Sequence, residues 1–106
     1  MSFERKIPSN VNELMAYLTK IFQNRTHVKS VKANEETGHI EVALDFFAHH
    51  NPTGDNYPDV YMPVKEGKIP EAKKLVDEMW RLAKAGTAPT MHDAQLLFDL
   101  IDQGGK

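Results

Sequence analysis

Hydrophobic and polar positions near the N-terminus repeat with the period of an α-helix. Between residues 10 and 24 the apolar side chains fall on one side of such a helix, so the pattern predicts a first helix over this range. Asn10 and Glu13 form a capping box at its start, with Ser9 as the alternative cap. The predicted apolar stripe consists of Val11, Leu14, Met15, Leu18, Ile21 and Phe22.

The pattern then changes to that of a hairpin of two strands. Residues 27–34 predict a strand with a bulge or an edge position, because its apolar members break strict alternation. Residues 34–38 supply turn chemistry, and Gly38 can adopt a positive φ. Apolar and polar residues alternate from 40 to 46, which is typical of a half-buried strand. The two strands should therefore form an antiparallel hairpin.

A long polar loop and a third strand follow the hairpin. Residues 48–59 are polar and interrupted by proline and glycine, and loops of this length are often functional. Val60, Met62 and Val64 alternate with Tyr61 and Pro63, which predicts another strand. Because proline has no N–H group, Pro63 places this strand at a sheet edge or marks its end.

Two further helices are predicted in the last third of the chain. Pro70 suits the first position of a helix, and Gly86 is a natural stop after it. Thr90 and Asp93 form a second capping box before the third helix. The order α-β-β-β-α-α predicts one α+β domain over residues 1–106, with a small antiparallel three-stranded sheet and helices packed on it.

Composition and charge exclude several classes of function. The 106 residues carry a formal net charge of −2, and basic residues are interleaved with acidic ones, so we expect no nucleic-acid partner. The absence of cysteine excludes disulfides, thiolate metal sites and cysteine nucleophiles. We see no signal peptide and no apolar run of about 20 residues, and we expect a cytoplasmic protein that uses no membrane and no cofactor.

Histidines and carboxylates gather in the polar loop and could bind a metal ion. His49, His50 and Asp55 are the candidate ligands, with Asp45 and Asp59 in the same cluster. The two adjacent histidines would point to opposite faces of a continuing strand, and no recognised metal-binding spacing is present. The competing interpretation is a surface loop in which these side chains cap turns.

The same loop resembles a nuclease motif over a short stretch. Ala48, His49 and His50, followed by Pro52, Gly54 and Asn56, resemble the His-His opening of ββα-metal (HNH-type) nucleases. The resemblance implies an enzyme in which a histidine activates water beside one metal ion. The predicted helix after the loop has no histidine or asparagine placed to complete that site.

Four aromatic residues are not required by the predicted core: Phe47, Tyr57, Tyr61 and Trp80. Aromatic side chains are enriched at the hot spots of protein interfaces, and an edge strand near Tyr61 would offer backbone pairing to a partner. The alternative is a sheet with helices on both faces, which would bury Phe47 and Tyr61 as ordinary core residues.

The sequence therefore predicts a small non-enzymatic protein-binding module, such as an accessory, adaptor or inhibitor protein. Leu96 and Leu100 widen the apolar face of the third helix, which suggests a homodimer contact. The alternative function is a metal-dependent hydrolase or nuclease that uses His49 and His50. An acidic mimic of nucleic acid fits less well, because the acidic residues are mixed with lysines.

Overall fold

The computed structural model describes residues 4–23, 28–44 and 60–103. Its elements in chain order are β1 (Glu4–Arg5), α1 (Val11–Gln23), β2 (Val28–Asn34), β3 (His39–Leu44), β4 (Val60–Pro63), α2 (Ile69–Lys84) and α3 (Met91–Phe98). The predicted α+β class is confirmed, and so is the order of its helices and antiparallel strands.

The described strands form one sheet in the order β1-β4-β3-β2. β3 pairs antiparallel with β2 on one side and with β4 on the other. The expected bulge in the first hairpin strand is present, since the register of β2 shifts between Val28 and Ser30. Gly38 adopts a φ of 75° in the hairpin turn, as its position predicted.

A short parallel strand changes the position of β4 in the sheet. Glu4 and Arg5 pair with Val60 and Tyr61, so β4 lies between β1 and β3. The expectation that this strand is at a sheet edge is therefore wrong, whereas Pro63 does mark its end. The two-residue strand β1 is too short for a periodic pattern, and a pairing partner nearly 60 residues away has no local signal in the sequence.

Residues 100–102 form backbone hydrogen bonds on the same side of β4 as β1, next to the end of β4. The Lys65 N–H donates to the Leu100 carbonyl at 2.9 Å, and the Asp102 N–H donates to the Pro63 carbonyl at 3.0 Å. The chain leaving α3 therefore lies beside the end of β4, in line with β1.

One apolar core lies between the sheet and the helices. Alternate strand residues, such as Ile40 and Met62, point into it together with the apolar stripes of α1, α2 and α3. Its largest fully buried side chains are Leu14, Ile40, Met62, Leu97, Ile101, Val42 and Val76.

Local hydrogen bonds at the helix starts agree with the sequence signals. Thr90 and Asp93 make the complete capping box at the start of α3. At α1, Asn10 accepts from the Glu13 N–H at 2.8 Å, while the Glu13 carboxylate accepts from the Ser9 N–H at 2.6 Å. Asn10 is therefore the cap of α1, as predicted, and the Ser9 backbone N–H is the donor that the Glu13 carboxylate accepts.

Candidate functional site on the outer face of the sheet

One face of the sheet points away from the core, and we call it the outer face. The register pairs Arg5 with Tyr61, Tyr61 with Glu41, and Glu41 with Lys32. Because directly paired residues in neighbouring strands point to the same side, these four side chains form a row across the sheet. His39 lies next to this row, on the same side of β3 as Glu41.

The accessible part of the outer face surrounds an aromatic pair. The rings of His39 and Tyr61 have centroids 4.5 Å apart and are tilted by 30°. Both side chains are half-buried, and Arg5 beside them is exposed. Further along β3, Ala43 is only 3% exposed, so the accessible region is the one around His39, Tyr61 and Arg5.

Glu41 is a buried carboxylate on the outer face, with an exposed fraction of 8%. Its Oε2 accepts a hydrogen bond from the Thr37 hydroxyl at 3.0 Å. The Asn34 side-chain amide lies 3.4 Å from each carboxylate oxygen. Within the described chain, neutral donors rather than an ion pair satisfy this group, and they tie β3 to the hairpin turn.

A cleft of about 330 Å³ opens at the hairpin end of the outer face. Its lining comes from four parts of the chain: Arg5 of β1, the hairpin residues Thr37, Gly38 and His39, residues 61, 63 and 64 in and just after β4, and Asp102. Arg5 pairs with Tyr61 while Asp102 bonds to Pro63, so a cation and a carboxylate lie on one side of β4. Their backbones are about 7 Å apart along the strand at roughly 3.3 Å per residue.

Several of the predicted site residues lie outside the described part of the chain. These are Phe47 and Tyr57 of the partner-binding set and His49, His50 and Asp55 of the metal set. Their roles remain predictions. Within residues 4–23, 28–44 and 60–103, no group of three histidine or carboxylate side chains could hold a metal ion together.

Tyr61 and Trp80 belong to different surfaces. Trp80 packs against the core, with its ring 5.8 Å from that of Phe22. The Lys84 ammonium lies 5.8 Å above the Trp80 ring, on the solvent side of α2. Tyr61 is on the outer face, across the sheet from this helix. The two aromatic residues therefore do not form one continuous patch.

An apolar groove of about 500 Å³ lies between α2 and α3. Leu75 and Leu100 line it half-buried, and Leu96 is 43% exposed. Exposed Lys74 on α2 and exposed Asp99 after α3 lie at its rim. The wide apolar face that the sequence indicated for the third helix is therefore accessible in the structure.

The remaining acids at the groove rim already have basic neighbours on α2. Glu71 lies 3.5 Å from the Lys68 ammonium, and Glu78 pairs with Arg81. The hydrogen bond to Glu78 and the negative charge of Glu78 raise the pKa of Arg81. Such exposed ion pairs are typical of a helix surface in contact with water, and they do not indicate a functional site.

Sequence reasoning missed part of the outer face. Apolar and polar residues alternate over 39–43, which places His39 and Glu41 on the face opposite the apolar residues. Tyr61 alternates with apolar neighbours in the next strand, which is enough to place it on the same face as His39 and Glu41. Arg5 and Asp102 join them only through β1 and residues 100–102, which pair with β4 from the two ends of the chain.

No protein-family model, curated protein or solved structure matches this chain. None of the described helices is both long enough and apolar enough to cross a membrane. The geometry of the outer face and of the groove is therefore the basis for a functional proposal.

Proposed function

We propose that this protein is a small non-enzymatic protein-binding module, an accessory, adaptor or inhibitor protein. It contacts its partner through the outer face of the sheet around Tyr61. The observation that supports this most is the half-buried His39–Tyr61 ring pair beside exposed Arg5. Tyrosine and arginine are enriched among the residues that dominate binding energy at protein interfaces.

The way these side chains are held also suits binding. They project from three neighbouring strands, so their backbone positions are set by the sheet rather than by a loop. A preorganised surface loses less conformational entropy when a partner binds. The ring contact further restricts His39 and Tyr61 before any partner arrives.

The chemistry of the outer face favours binding over catalysis in the described chain. Glu41 is held by Thr37 and Asn34, which are neutral donors rather than an acid or base partner. A nucleophile would need an activating base within hydrogen-bond reach. The alternative of a metal-dependent hydrolase or nuclease rests on His49 and His50, and it stays a separate prediction.

The proposal is tested by purifying the tagged protein from its own host and identifying bound proteins by mass spectrometry. We expect one partner in near-equal amount. Tyr61→Ala should weaken its binding about tenfold or more, as expected for a hot-spot residue. Met91→Ala is the matched control, because Met91 is 48% exposed and lies on α3.

The outcomes separate the candidate functions. Recovery of the protein alone, or full partner binding by a folded Tyr61→Ala variant, would contradict the proposal. Combined His49→Ala and His50→Ala should leave partner binding intact. Bound metal together with a hydrolytic activity that these two changes abolish would instead support the enzyme alternative.

A homodimer is the second candidate, and the α2–α3 groove is its interface. A twofold dimer uses the same patch on both copies, so the patch must complement itself. The apolar residues Leu75, Leu96 and Leu100 supply the centre, and Lys74 and Asp99 supply opposite charges at the rim. In such a dimer, Lys74 of each copy faces Asp99 of the other.

A further inference from the structure

We infer that the cleft beside Arg5 binds a carboxylate group carried by the partner. This inference rests on the proposed function and names the chemistry that the outer face recognises. The cleft of about 330 Å³ accepts a small terminal group rather than a folded surface. Arg5, Tyr61 and His39 lie across it on three neighbouring strands.

Arg5 supplies the charge and the geometry for a carboxylate. Its planar guanidinium presents N–H donors in a fork that matches the two carboxylate oxygens. Arg5 is exposed, and none of the ion pairs of the described chain includes it. Binding a partner's carboxylate would therefore not require Arg5 to leave an existing ion pair in this part of the chain.

His39 and Tyr61 complete the recognition surface. β1 and β3 flank β4 at about 4.8 Å on each side, and His39 lies two residues along β3 from Glu41, which is in line with Arg5, so the backbones of Arg5 and His39 are about 12 Å apart. Tyr61 is on the strand between them, and its ring lies 4.5 Å from the His39 ring. A carboxylate above this ring is within reach of the long Arg5 side chain and of an imidazole N–H donor.

The negative groups around the cleft favour a carboxylate over a phosphate. Asp102 lines the cleft, and Glu41 is the register partner of Tyr61. Their charges repel a phosphate, which carries nearly two negative charges at neutral pH, more than a singly charged carboxylate. The planar fork of Arg5 matches the planar carboxylate as well.

A protein partner can supply a carboxylate group from two sources, its C-terminus or the side chain of an Asp or Glu residue. Three probe molecules distinguish these two sources. Each is titrated into the full chain, and binding is measured from the NMR chemical shifts of the backbone amides. N-acetylglycine mimics a C-terminus, propionate mimics an acidic side chain, and N-acetylglycinamide is the neutral control. Arg5→Gln is the test variant, and Lys32→Gln is its matched control, an exposed cation of the outer face away from the cleft.

We expect the two acids to shift the amide signals of Gly38 and His39 saturably, and the neutral amide to leave them unchanged. Arg5→Gln should raise the dissociation constant about tenfold, as the loss of a charge-assisted hydrogen bond predicts. Lys32→Gln should change it less than about twofold. Tighter binding of N-acetylglycine than of propionate supports a C-terminal source, and the reverse supports a side chain.

Equal shifts with the neutral amide, no shift with either acid, or unchanged binding by Arg5→Gln would overturn the inference. These results are separable from failure of the proposed function. If Tyr61→Ala releases the partner while Arg5→Gln does not, the protein-binding function stands and carboxylate recognition fails. If the acids bind through Arg5 and no partner is recovered, carboxylate recognition stands and the protein-binding function fails.

Discussion

The rings of His39 and Tyr61 lie 4.5 Å apart although the two residues are not direct partners in the sheet. His39 pairs with Pro63, and Tyr61 pairs with Glu41. The contact is therefore diagonal, within the reach of large aromatic side chains on neighbouring strands. It links the hairpin turn to the centre of the sheet on the outer face, where we place the binding surface.

Because Tyr61 lies on the outer face, its loss should cost little stability. Tyr61→Ala removes the half-buried ring contact with His39 and is expected to lower the free energy of unfolding by about 1 kcal/mol. Met62→Ala next to it should cost about 2–5 kcal/mol, because Met62 is 1% exposed in the core. Urea denaturation of both variants measures the difference. Equal costs would show that Tyr61 is a core residue and would remove the surface on which the proposal depends.

The buried Glu41 carboxylate should stabilise the hairpin through its neutral donors. Glu41→Ala leaves the Thr37 hydroxyl and the Asn34 amide without this acceptor, and it should cost about 1–3 kcal/mol. Glu41→Gln keeps one acceptor oxygen and should cost less. Glu35→Ala, at an exposed position of the same hairpin, is the control and should stay within about 0.5 kcal/mol. A Glu41→Ala variant as stable as the control in urea denaturation would contradict this role.

Gly38 should be sensitive to substitution because of its backbone angle rather than its surroundings. Its φ is 75°, and an added Cβ would meet no atom within 4 Å. Gly38→Ala is therefore expected to cost about 1–2 kcal/mol from left-handed strain alone. Gly38→Asn should cost less, because asparagine tolerates this region better. Thermal unfolding checks the order, and equal stability of the three proteins would show that the turn relaxes to another conformation.

The fold was predictable where one short stretch of sequence carries a complete signal. The capping box of Thr90 with Asp93, and the turn at Gly38, depend on residues a few positions apart. Alternation in residues 39–43 also separates the core residue Ile40 from the outer-face residue Glu41. These signals are local, so they can be read without knowing the rest of the chain.

The site was less predictable because it is assembled from distant parts of the chain. Arg5 reaches the cleft through the pairing of β1 with β4, and Asp102 reaches it through a hydrogen bond to Pro63. Neither segment has a periodic pattern long enough to reveal its partner. The same pairings explain why β4, which Pro63 suggested was an edge strand, lies inside the sheet.

The groove between α2 and α3 makes a prediction about self-association. Sedimentation velocity should show a concentration-dependent dimer of the wild-type protein. Leu96→Glu should weaken it about tenfold or more, because it places a charge in the apolar centre of the groove. Met91→Glu is the control, since Met91 is exposed on α3 but does not line the groove. A wild-type protein that remains monomeric, or a Leu96→Glu variant that still dimerises fully, would exclude this interface.

A charge exchange tests the arrangement of the two copies more sharply. If Lys74 faces Asp99 of the second copy, Lys74→Asp alone should weaken the dimer by placing two carboxylates against each other. Asp99→Lys alone should weaken it for the same reason with two ammonium groups. The double variant restores opposite charges, so its dissociation constant should return toward the wild-type value, which sedimentation measures directly. A double variant weakened by the sum of the two single effects would show that the two residues do not meet, and that any dimer is formed in another orientation.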